Sequence, residues 1–252
     1  MEGTALRGRL IWQLGEVVET RTETARARSL TLAVPGWPGH RPGQHVDLRL
    51  TAEDGYQAER SYSIASPPEE RGKVMITVER LDDGEASPYL VDEVKLGDRL
   101  ELRGPIGGYF VWEAQMGGPL LLVAGGSGIV PLMAMIRHRR AVASTVPARL
   151  LYSARSQDEV IYRDELDESA RRDRRLDVIY TLTRSQPPGW AGYRRRIDGD
   201  LLREVAWPAR DGPRAYICGP TQFVETAAAG LVSLGYDPAR VKTERFGPTG
   251  GG

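Results

Sequence analysis

The sequence predicts two domains of different architecture, an antiparallel β-barrel followed by an α/β domain built on a parallel sheet. In the first half, apolar and polar residues alternate from about residue 30 to residue 103, a pattern typical of half-buried strands. In the second half, short apolar runs alternate with helical stretches, which is typical of parallel strands joined by crossover helices. We place the two domains at residues 1–115 and 116–252.

The first half contains repeated strand signals and no long helical pattern. Turn clusters at residues 35–39 and 82–84 separate the alternating stretches, so the strands are expected to pair antiparallel and to close into a barrel or a sandwich. The alternating apolar sets are Leu30/Leu32/Val34, Val46/Leu48/Leu50, Val74/Ile76/Val78 and Leu100/Leu102.

The second half begins with a continuous apolar strand at residues 120–124, followed by a glycine-rich turn and an apolar helix with Pro131 at its first position. Short apolar runs bounded by turn residues predict three further strands, and amphipathic stretches predict two helices between and after them. The predicted strands are 148–152, 176–182 and 214–218, and the predicted helices are 159–171 and 221–234.

The composition excludes several classes of function. The 34 Lys and Arg residues balance 34 Asp and Glu residues, so electrostatics gives no reason to expect a nucleic-acid or membrane partner. The single cysteine, Cys218, can neither form an internal disulfide nor supply the four thiolates of an iron–sulfur cluster. Three histidines without paired spacing predict partly exposed imidazoles and no metal site. Without a signal peptide or membrane span, we expect a cytoplasmic protein. We also expect a monomer.

A glycine-rich loop, Gly125-Gly126-Ser127-Gly128-Ile129-Val130-Pro131, follows the first strand of the second half. Its small residues let the backbone approach a pyrophosphate, and the N–H groups at the helix start supply an anion site. Pro131 stands where the dinucleotide fingerprint has its third glycine. The loop alone therefore also fits a plain strand-to-helix turn.

Two segments of the first half have the chemistry of a phosphate site. Arg60 and Tyr62 share one face of an extended strand, where a guanidinium can hold a phosphate and a ring can stack on a flat heterocycle; an ordinary exposed strand face is the alternative. Further along, Ser87 is expected to cap a short helix with Pro88 at its first position. That helix start offers a second anion site or is merely a well-capped helix.

Taken in order, these segments resemble the ferredoxin–NADP reductase superfamily from about Val18 to Gly247. The resemblance implies a Greek-key FAD-binding barrel followed by an NAD(P)-binding domain. Arg60-Ser61-Tyr62-Ser63 is similar to the family's Arg-x-Tyr-Ser motif, which implies Arg60 on the FAD pyrophosphate, Tyr62 against the isoalloxazine and Ser63 near flavin N5. The other residues that the resemblance implies in the flavin site are Ser61, Val78, Gly84, Glu85, Ala86 and Ser87.

The resemblance also covers a nicotinamide-nucleotide site. The loop from Gly125 to Pro131 matches the family's nucleotide loop, and Tyr216-Ile217-Cys218-Gly219-Pro220 matches its Cys-Gly-Pro signature beside the nicotinamide. Glu244-Arg245-Phe246 resembles the terminal element whose ring covers the other flavin face, although the aromatic residue is Phe and six residues follow it. The nucleotide-binding residues implied are Gly126, Ser127, Gly128, Ile129, Cys218, Gly219 and Pro220, with Phe246 at the flavin.

The implied reaction is hydride transfer from nicotinamide C4 to flavin N5, with Ser63, Cys218 and Glu244 around the transfer point. The stretch after the second predicted strand of the NAD(P)-binding domain, residues 152–156, bears on the choice between NADPH and NADH. Arg155, with Ser156 and Arg184, favours NADPH because an arginine there suits a ribose 2′-phosphate. NADH stays open, because these arginines could instead pair with surface carboxylates.

With no cluster or haem encoded, the electrons must leave for a separate acceptor. The resemblance implies a ferredoxin, a flavodoxin, or an oxygenase or molybdoenzyme component, and basic clusters at residues 137–140, 171–175 and 194–196 could steer an acidic partner. Two alternatives are a free-flavin or quinone reductase and a non-catalytic flavin subunit of a larger complex. A nucleotide-binding regulatory module is a third, but it would not need both Tyr62 and Phe246.

Overall fold

A computed structural model describes residues 10–52 and 54–247 of the chain. The strands form two sheets, of which the first ends at Ile106 and the second begins at Leu120. The predicted boundary between residues 115 and 116 lies in the linker that joins them, whereas the outer limits of the two predicted domains extend beyond the described residues. Among the described helices, none has the length and apolar composition needed to cross a membrane.

The first sheet is antiparallel and closes into a barrel, as the alternating pattern predicts. Its described strands are β1 (Gln13–Thr24), β2 (Ala27–Ala33), β3 (His45–Thr51), β4 (Gln57–Ser63), β5 (Lys73–Glu79) and β6 (Arg99–Ile106). In space they follow the order β4-β3-β6-β1-β2-β5. An antiparallel bridge between Ile64 and Ile76 joins the two edge strands and closes the barrel.

The barrel core consists of the inward-facing members of the alternating sets. Leu50 is the exception, since it is only half-buried near the end of β3. On β2 and β5 the intervening polar residues Ser29 and Thr77 are buried as well. The second domain covers this outer face of the barrel. The alternating pattern by itself would predict that the face is exposed to solvent. The buried core residues of the sets are Leu30, Leu32, Val34, Val46, Leu48, Val74, Ile76, Val78, Leu100 and Leu102.

The segment between β5 and β6 contains a single helical turn, Tyr89–Glu93. The prediction that Ser87 caps this turn is wrong, because the turn starts at Tyr89, Pro88 precedes it, and no side chain caps it. The Ser87 hydroxyl instead accepts a hydrogen bond from the Leu81 backbone N–H at 3.0 Å. It therefore closes the loop formed by residues 81–87.

The second sheet is parallel, as predicted, and lies between two layers of helices. The order of its described strands in space is β11-β10-β7-β8-β9. The strands are β7 (Leu120–Gly125), β8 (Ala148–Ala154), β9 (Leu176–Leu182), β10 (Arg214–Pro220) and β11 (Val241–Phe246), and the helices are α1 (Ile129–Ala141), α2 (Arg163–Arg172), α3 (Gly199–Val205) and α4 (Thr221–Ser233).

Two helices start at a different residue from the one predicted, and a third helix was not predicted. Helix α1 starts at Ile129, so Pro131 is its third residue rather than its first; proline is tolerated there because the first four N–H groups of a helix lack intrahelical partners. The predicted helix 159–171 begins only at Arg163, since Tyr162 has a left-handed backbone (φ 59°). Helix α3 was not expected; Asp198 caps it by accepting a hydrogen bond from the Leu201 N–H at 2.9 Å.

The two faces of the parallel sheet have separate cores. Helices α3 and α4 cover one face, where Leu201 and Leu231 are buried. Helices α1 and α2 cover the other, and the core there also includes Ala65 from the barrel side and Trp112 from the linker. The apolar core of the second domain is thus continuous with the interface between the domains.

Candidate functional site

The two predicted nucleotide segments and the predicted terminal flavin element meet at the carboxyl ends of adjacent parallel strands. The glycine loop follows β7, Cys218 lies near the end of β10, and Glu244 lies on β11. Cys218 is the register partner of both Ala124 on β7 and Glu244 on β11. In open α/β sheets this edge is where ligands bind.

Glycine makes the close approach of these strands possible. A Cβ at Gly128 would lie 2.1 Å from the Cys218 carbonyl oxygen, so the start of α1 packs directly on the backbone of β10. Gly126 differs, because its backbone is left-handed (φ +55°) and, its own chain neighbours apart, no heavy atom of the described residues lies within 4 Å of the position of its missing Cβ. The loop is thus fixed on one side and open on the other, which suits close contact with a ligand phosphate.

The barrel meets this edge through Ser63, the last residue of β4. Its hydroxyl donates a hydrogen bond to Glu244 Oε1 at 3.2 Å. The three predicted catalytic residues are therefore contiguous: Ser63 contacts Glu244, and Glu244 is in register with Cys218. Phe246 ends β11 on the same face as Glu244, half-buried and in register with Pro220.

Burial disfavours the charged forms of both ionisable groups of this cluster. Desolvation raises the pKa of the Glu244 carboxyl, and the hydrogen bond from Ser63 opposes this only in part. Burial also raises the pKa of the Cys218 thiol well above its ordinary value, and the nearby Glu244 carboxylate adds to the effect. A neutral thiol agrees with a role in positioning a ligand rather than in nucleophilic attack.

Glu244→Gln is expected to change the pH dependence of stability. Because the folded-state pKa of Glu244 is raised, its contribution is fully present below the ordinary glutamate pKa of about 4.3 and is lost as the pH rises through the raised value. The free energy of unfolding of the variant, relative to that of the wild type, should therefore increase as the pH increases. Urea unfolding across this range measures the difference, with exposed Glu93→Gln as the control; a difference independent of pH would contradict the assignment.

The predicted phosphate-binding side chains of the barrel also come together. Arg60 and Tyr62 lie on one face of β4, in register with the inward-facing Leu48 and Val46. Tyr62 packs at the edge of the barrel core, and its burial raises the phenol pKa to about 12. The Arg60 guanidinium forms an ion pair with Glu85, so the Arg60 motif and the 84–87 loop adjoin one another.

Other residues predicted at the flavin site have their side chains engaged elsewhere. Ser61 points to the opposite face of β4 from Tyr62 and donates to Asp47 Oδ1 at 2.6 Å. The side chains of Val78 and Ala86 are enclosed in the barrel core. Any contact of Val78 or Ala86 with a cofactor would therefore involve the main chain.

The candidate residues for nucleotide choice lie at the same sheet edge, beyond β8 and β9. The Arg184 N–H donates to the Arg155 carbonyl at 2.9 Å, which brings the two segments together. Neither guanidinium lies within 4.0 Å of a carboxylate of the described residues, so the suggested pairing of Arg155 with Asp158 or Glu159 is absent there. The Ser156 hydroxyl donates to Glu159 at 3.4 Å.

One residue at the interface between the domains, Tyr109, is not indicated by any motif in the sequence. Tyr109, in the linker after β6, is 60% exposed, and the Lys242 ammonium lies 4.3 Å from its ring centroid. Lys242 is two residues before Glu244 on β11 and shares its face of the strand. A Gly-Gly pair before Tyr109 marks a turn but does not reveal this cation–π contact.

The expectation of three partly exposed histidines is wrong for two of them. His40 is buried and hydrogen bonds to the Ser66 carbonyl at 2.9 Å, and His138 is buried with Nδ1 2.8 Å from Glu69. Burial lowers the pKa of His40, which the hydrogen bond to Ser66 opposes.

The predicted basic cluster at residues 137–140 is likewise not a docking surface. Arg137, His138 and Arg139 are buried and paired, and only Arg140 is exposed. This helix segment packs against the rest of the protein rather than facing a partner.

Comparison with known proteins identifies a cofactor-binding domain in each half of the chain. The family description "Oxidoreductase FAD-binding domain" matches residues 16–111, and "Oxidoreductase NAD-binding domain" matches residues 122–229. These matches confirm the predicted FAD- and NAD-binding domains.

The chain is similar to ferredoxin–NADP reductase B of Sorangium cellulosum, with 34% identity over 211 residues that cover 81% of this chain and 84% of that protein. It is 32% identical over 211 residues to the glycine betaine monooxygenase reductase subunit of Chromohalobacter salexigens, covering 83% of this chain but only 56% of that protein. The chain thus spans little more than half of that relative. The FAD/NAD-binding domain of nitric oxide dioxygenase from Vibrio cholerae superposes with a TM-score of 0.82 at 27% identity, covering 94% of this chain and 99% of that domain.

Proposed function

Because the chain belongs to the ferredoxin–NADP reductase superfamily of FAD- and NAD(P)-binding oxidoreductases, we propose that it oxidises NADPH and delivers electrons to a separate redox protein. The acceptor class proposed is a ferredoxin or an oxygenase component. Support comes from the names of two relatives, a ferredoxin–NADP reductase and a monooxygenase reductase subunit. Bound FAD supplies the chemistry that connects a two-electron hydride donor to such acceptors.

The residues at the barrel edge fit FAD. Arg60 offers a guanidinium to the pyrophosphate, and the Tyr62 ring offers an aromatic face to the isoalloxazine. The carboxylate of Glu85 beside Arg60 opposes an anion there, and this ion pair would have to break when phosphate binds.

The contact between Ser63 and Glu244 carries the proposal. It joins the end of β4, which carries the proposed flavin ligands, to β11. Strand β11 pairs with β10, where Cys218 lies beside the glycine loop. Two binding sites that share this seam would hold the nicotinamide against the flavin, which is the geometry that a direct transfer between them needs. Ser63, Cys218 and Glu244 are proposed to orient the two rings, and Phe246 to cover the flavin face.

The proposed nucleotide is NADPH, because Arg155 and Arg184 form no ion pair with the described carboxylates and lie at the edge expected for a 2′-phosphate. Arg155→Ala should lower the ratio of kcat/KM for NADPH over NADH by about 10- to 100-fold, the range for losing a charged hydrogen bond. Steady-state kinetics with both nucleotides measures the ratio. Arg163→Ala, which removes a guanidinium 3.9 Å from Asp167, is the control; an unchanged ratio in Arg155→Ala would contradict the NADPH assignment.

A comparison of acceptors tests the proposed function against its alternatives. The FAD-loaded protein is supplied with NADPH and with ferricyanide, a small iron–sulfur ferredoxin, free FMN or a quinone. Fast turnover with the ferredoxin supports a reductase that serves a redox protein, while ferricyanide reports only that the bound flavin can turn over. Preference for FMN or quinone supports a free-flavin or quinone reductase instead, and flavin reduction without turnover on any acceptor supports a non-catalytic subunit.

A further inference from the structure

The interface between the domains contains an almost fully buried arginine. The Arg137 side chain, on α1, is 7% exposed. Two of its nitrogens donate to the Glu165 carboxylate at 2.9 and 2.6 Å, and Nη1 donates across the interface to the Ala65 carbonyl at 2.9 Å. The guanidinium carbon also lies 4.8 Å from the centroid of the Tyr162 ring. Burial opposes charge on both partners, but their mutual hydrogen bonds raise the pKa of Arg137 and lower that of Glu165.

Tyr162 crosses the same interface with its hydroxyl. The hydroxyl hydrogen bonds to Thr77 on β5, Thr77 is 2.7 Å from Ser29 on β2, and Ser29 donates to the Glu23 carboxylate at 2.7 Å. Each hydroxyl has one proton to donate, so the chain runs from Tyr162 to the acceptor oxygen of Glu23. Burial raises the Tyr162 pKa to about 12, which keeps its phenol protonated as the first donor.

These contacts connect the segments that form the two binding sites. Ala65 lies two residues after Ser63 on the barrel side. Arg137 lies on α1, which follows the glycine loop. Tyr162 ends the segment that starts at Arg155, the residue proposed to bind the 2′-phosphate. A displacement at this interface would therefore shift both nucleotide segments relative to Ser63.

We propose that Arg137 and Tyr162 are positioning residues, which hold the nucleotide domain against the flavin strand at the spacing that transfer between the two cofactors requires. We call this group, with Glu165 and Thr77, the interdomain clasp. The proposal rests on the proposed function. It adds that the reaction depends on residues outside the predicted cofactor-binding and catalytic sets.

Helix α1 provides a matched control. Arg139 lies on the same helix, is 3% exposed and pairs with Asp173, and its Nε donates to the Val146 carbonyl at 2.6 Å. All of these partners belong to the second domain. Arg137→Met and Arg139→Met thus each break a buried ion pair, but only the first removes a contact to the barrel.

The experiment combines kinetics with amide exchange on the FAD-loaded protein. For wild type, Arg137→Met, Arg137→Lys, Tyr162→Phe and Arg139→Met, stopped-flow absorbance gives the flavin reduction rate at saturating NADPH and the dissociation constant of NADPH. We expect Arg137→Met to slow reduction by about tenfold or more while the dissociation constant stays within about twofold. Arg137→Lys should recover part of the reduction rate. The rate of Tyr162→Phe should lie between those of Arg137→Met and wild type, and the rate of Arg139→Met should equal that of wild type.

Amide exchange over residues 64–77 is the second readout, and it does not depend on activity. We expect faster exchange there in Arg137→Met than in Arg139→Met, because only the first loses the bond to Ala65. Equal reduction rates and equal exchange in these two variants would overturn the proposal, and so would a loss confined to NADPH affinity. If neither nucleotide reduces the wild-type flavin, the proposed function fails, and the exchange measurement still decides whether the clasp couples the domains.

Discussion

Gly128→Ala is expected to lower the affinity for NADPH by about 100-fold or more, while the barrel keeps its FAD. The added methyl group would meet the Cys218 carbonyl oxygen at 2.1 Å and its carbon at 2.4 Å. These are backbone atoms of a central strand, so α1 and its glycine loop must move away from β10. That movement displaces the loop from Cys218 and opens the edge where the nucleotide is proposed to bind.

A titration of the FAD-loaded variant with NADPH, followed by the change in flavin absorbance, measures this loss. Gly199→Ala is the matched control, because it makes the same chemical change where, its own helix backbone and chain neighbours apart, no heavy atom of the described residues lies within 4 Å of the new carbon. Near wild-type affinity in Gly128→Ala would show that the nucleotide does not depend on this packing. Loss of FAD as well would show that the damage spreads beyond the second domain.

Arg60→Ala is expected to weaken FAD binding by up to about 100-fold, the upper range for removing a charged hydrogen bond to a phosphate. Arg60 is the proposed pyrophosphate ligand, and Glu85 beside it carries the opposite charge. Without Arg60, the site retains a carboxylate close to the proposed position of the pyrophosphate. Equilibrium titration of the apoprotein with FAD, read by quenching of flavin fluorescence, gives the dissociation constant.

Glu85→Gln separates the two partners of this ion pair. If Arg60 binds phosphate, removal of the competing carboxylate should leave FAD affinity unchanged or increase it. If the pair has only a structural role, both variants should be destabilised and neither should show a specific loss of FAD. Equal FAD affinity in Arg60→Ala and wild type would exclude the phosphate role.

Much of the fold follows from local patterns. Alternation located β2, β3, β5 and β6, and the continuous apolar run at residues 120–124 located a central parallel strand whose residues are fully buried. Ser87 shows where such local reasoning fails. A serine before a proline matches a helix cap in sequence, but the hydroxyl is bonded to the Leu81 backbone, six residues upstream.

The contacts that sequence patterns could not indicate are between residues far apart in the chain. Arg137, His138 and Arg139 read as an exposed basic run, but their carboxylate partners lie 28, 69 and 34 residues away. Burial of Thr77 on the outside of the barrel likewise depends on Tyr162, which belongs to the other domain. Pairing at such distances depends on how the two domains pack, and no periodic pattern within one strand or helix contains that information.

For the candidate site, too, the sequence indicated single residues but not how they come together. Motif resemblance indicated Ser63, Cys218 and Glu244 separately, in three segments of the chain. Their adjacency comes from the parallel register of β10 with β11 and from the contact of β4 with β11. Neither the register nor the domain contact can be derived from the motifs themselves.

We propose that NADPH reduces a flavin held between these two domains. The most direct measurement is an anaerobic titration of the FAD-loaded protein with NADPH, followed by the visible absorbance of the flavin. We expect the yellow absorbance to bleach on addition of an equimolar amount of NADPH. A protein that does not bind FAD, or a bound flavin whose absorbance is unchanged by both NADPH and NADH, would contradict it.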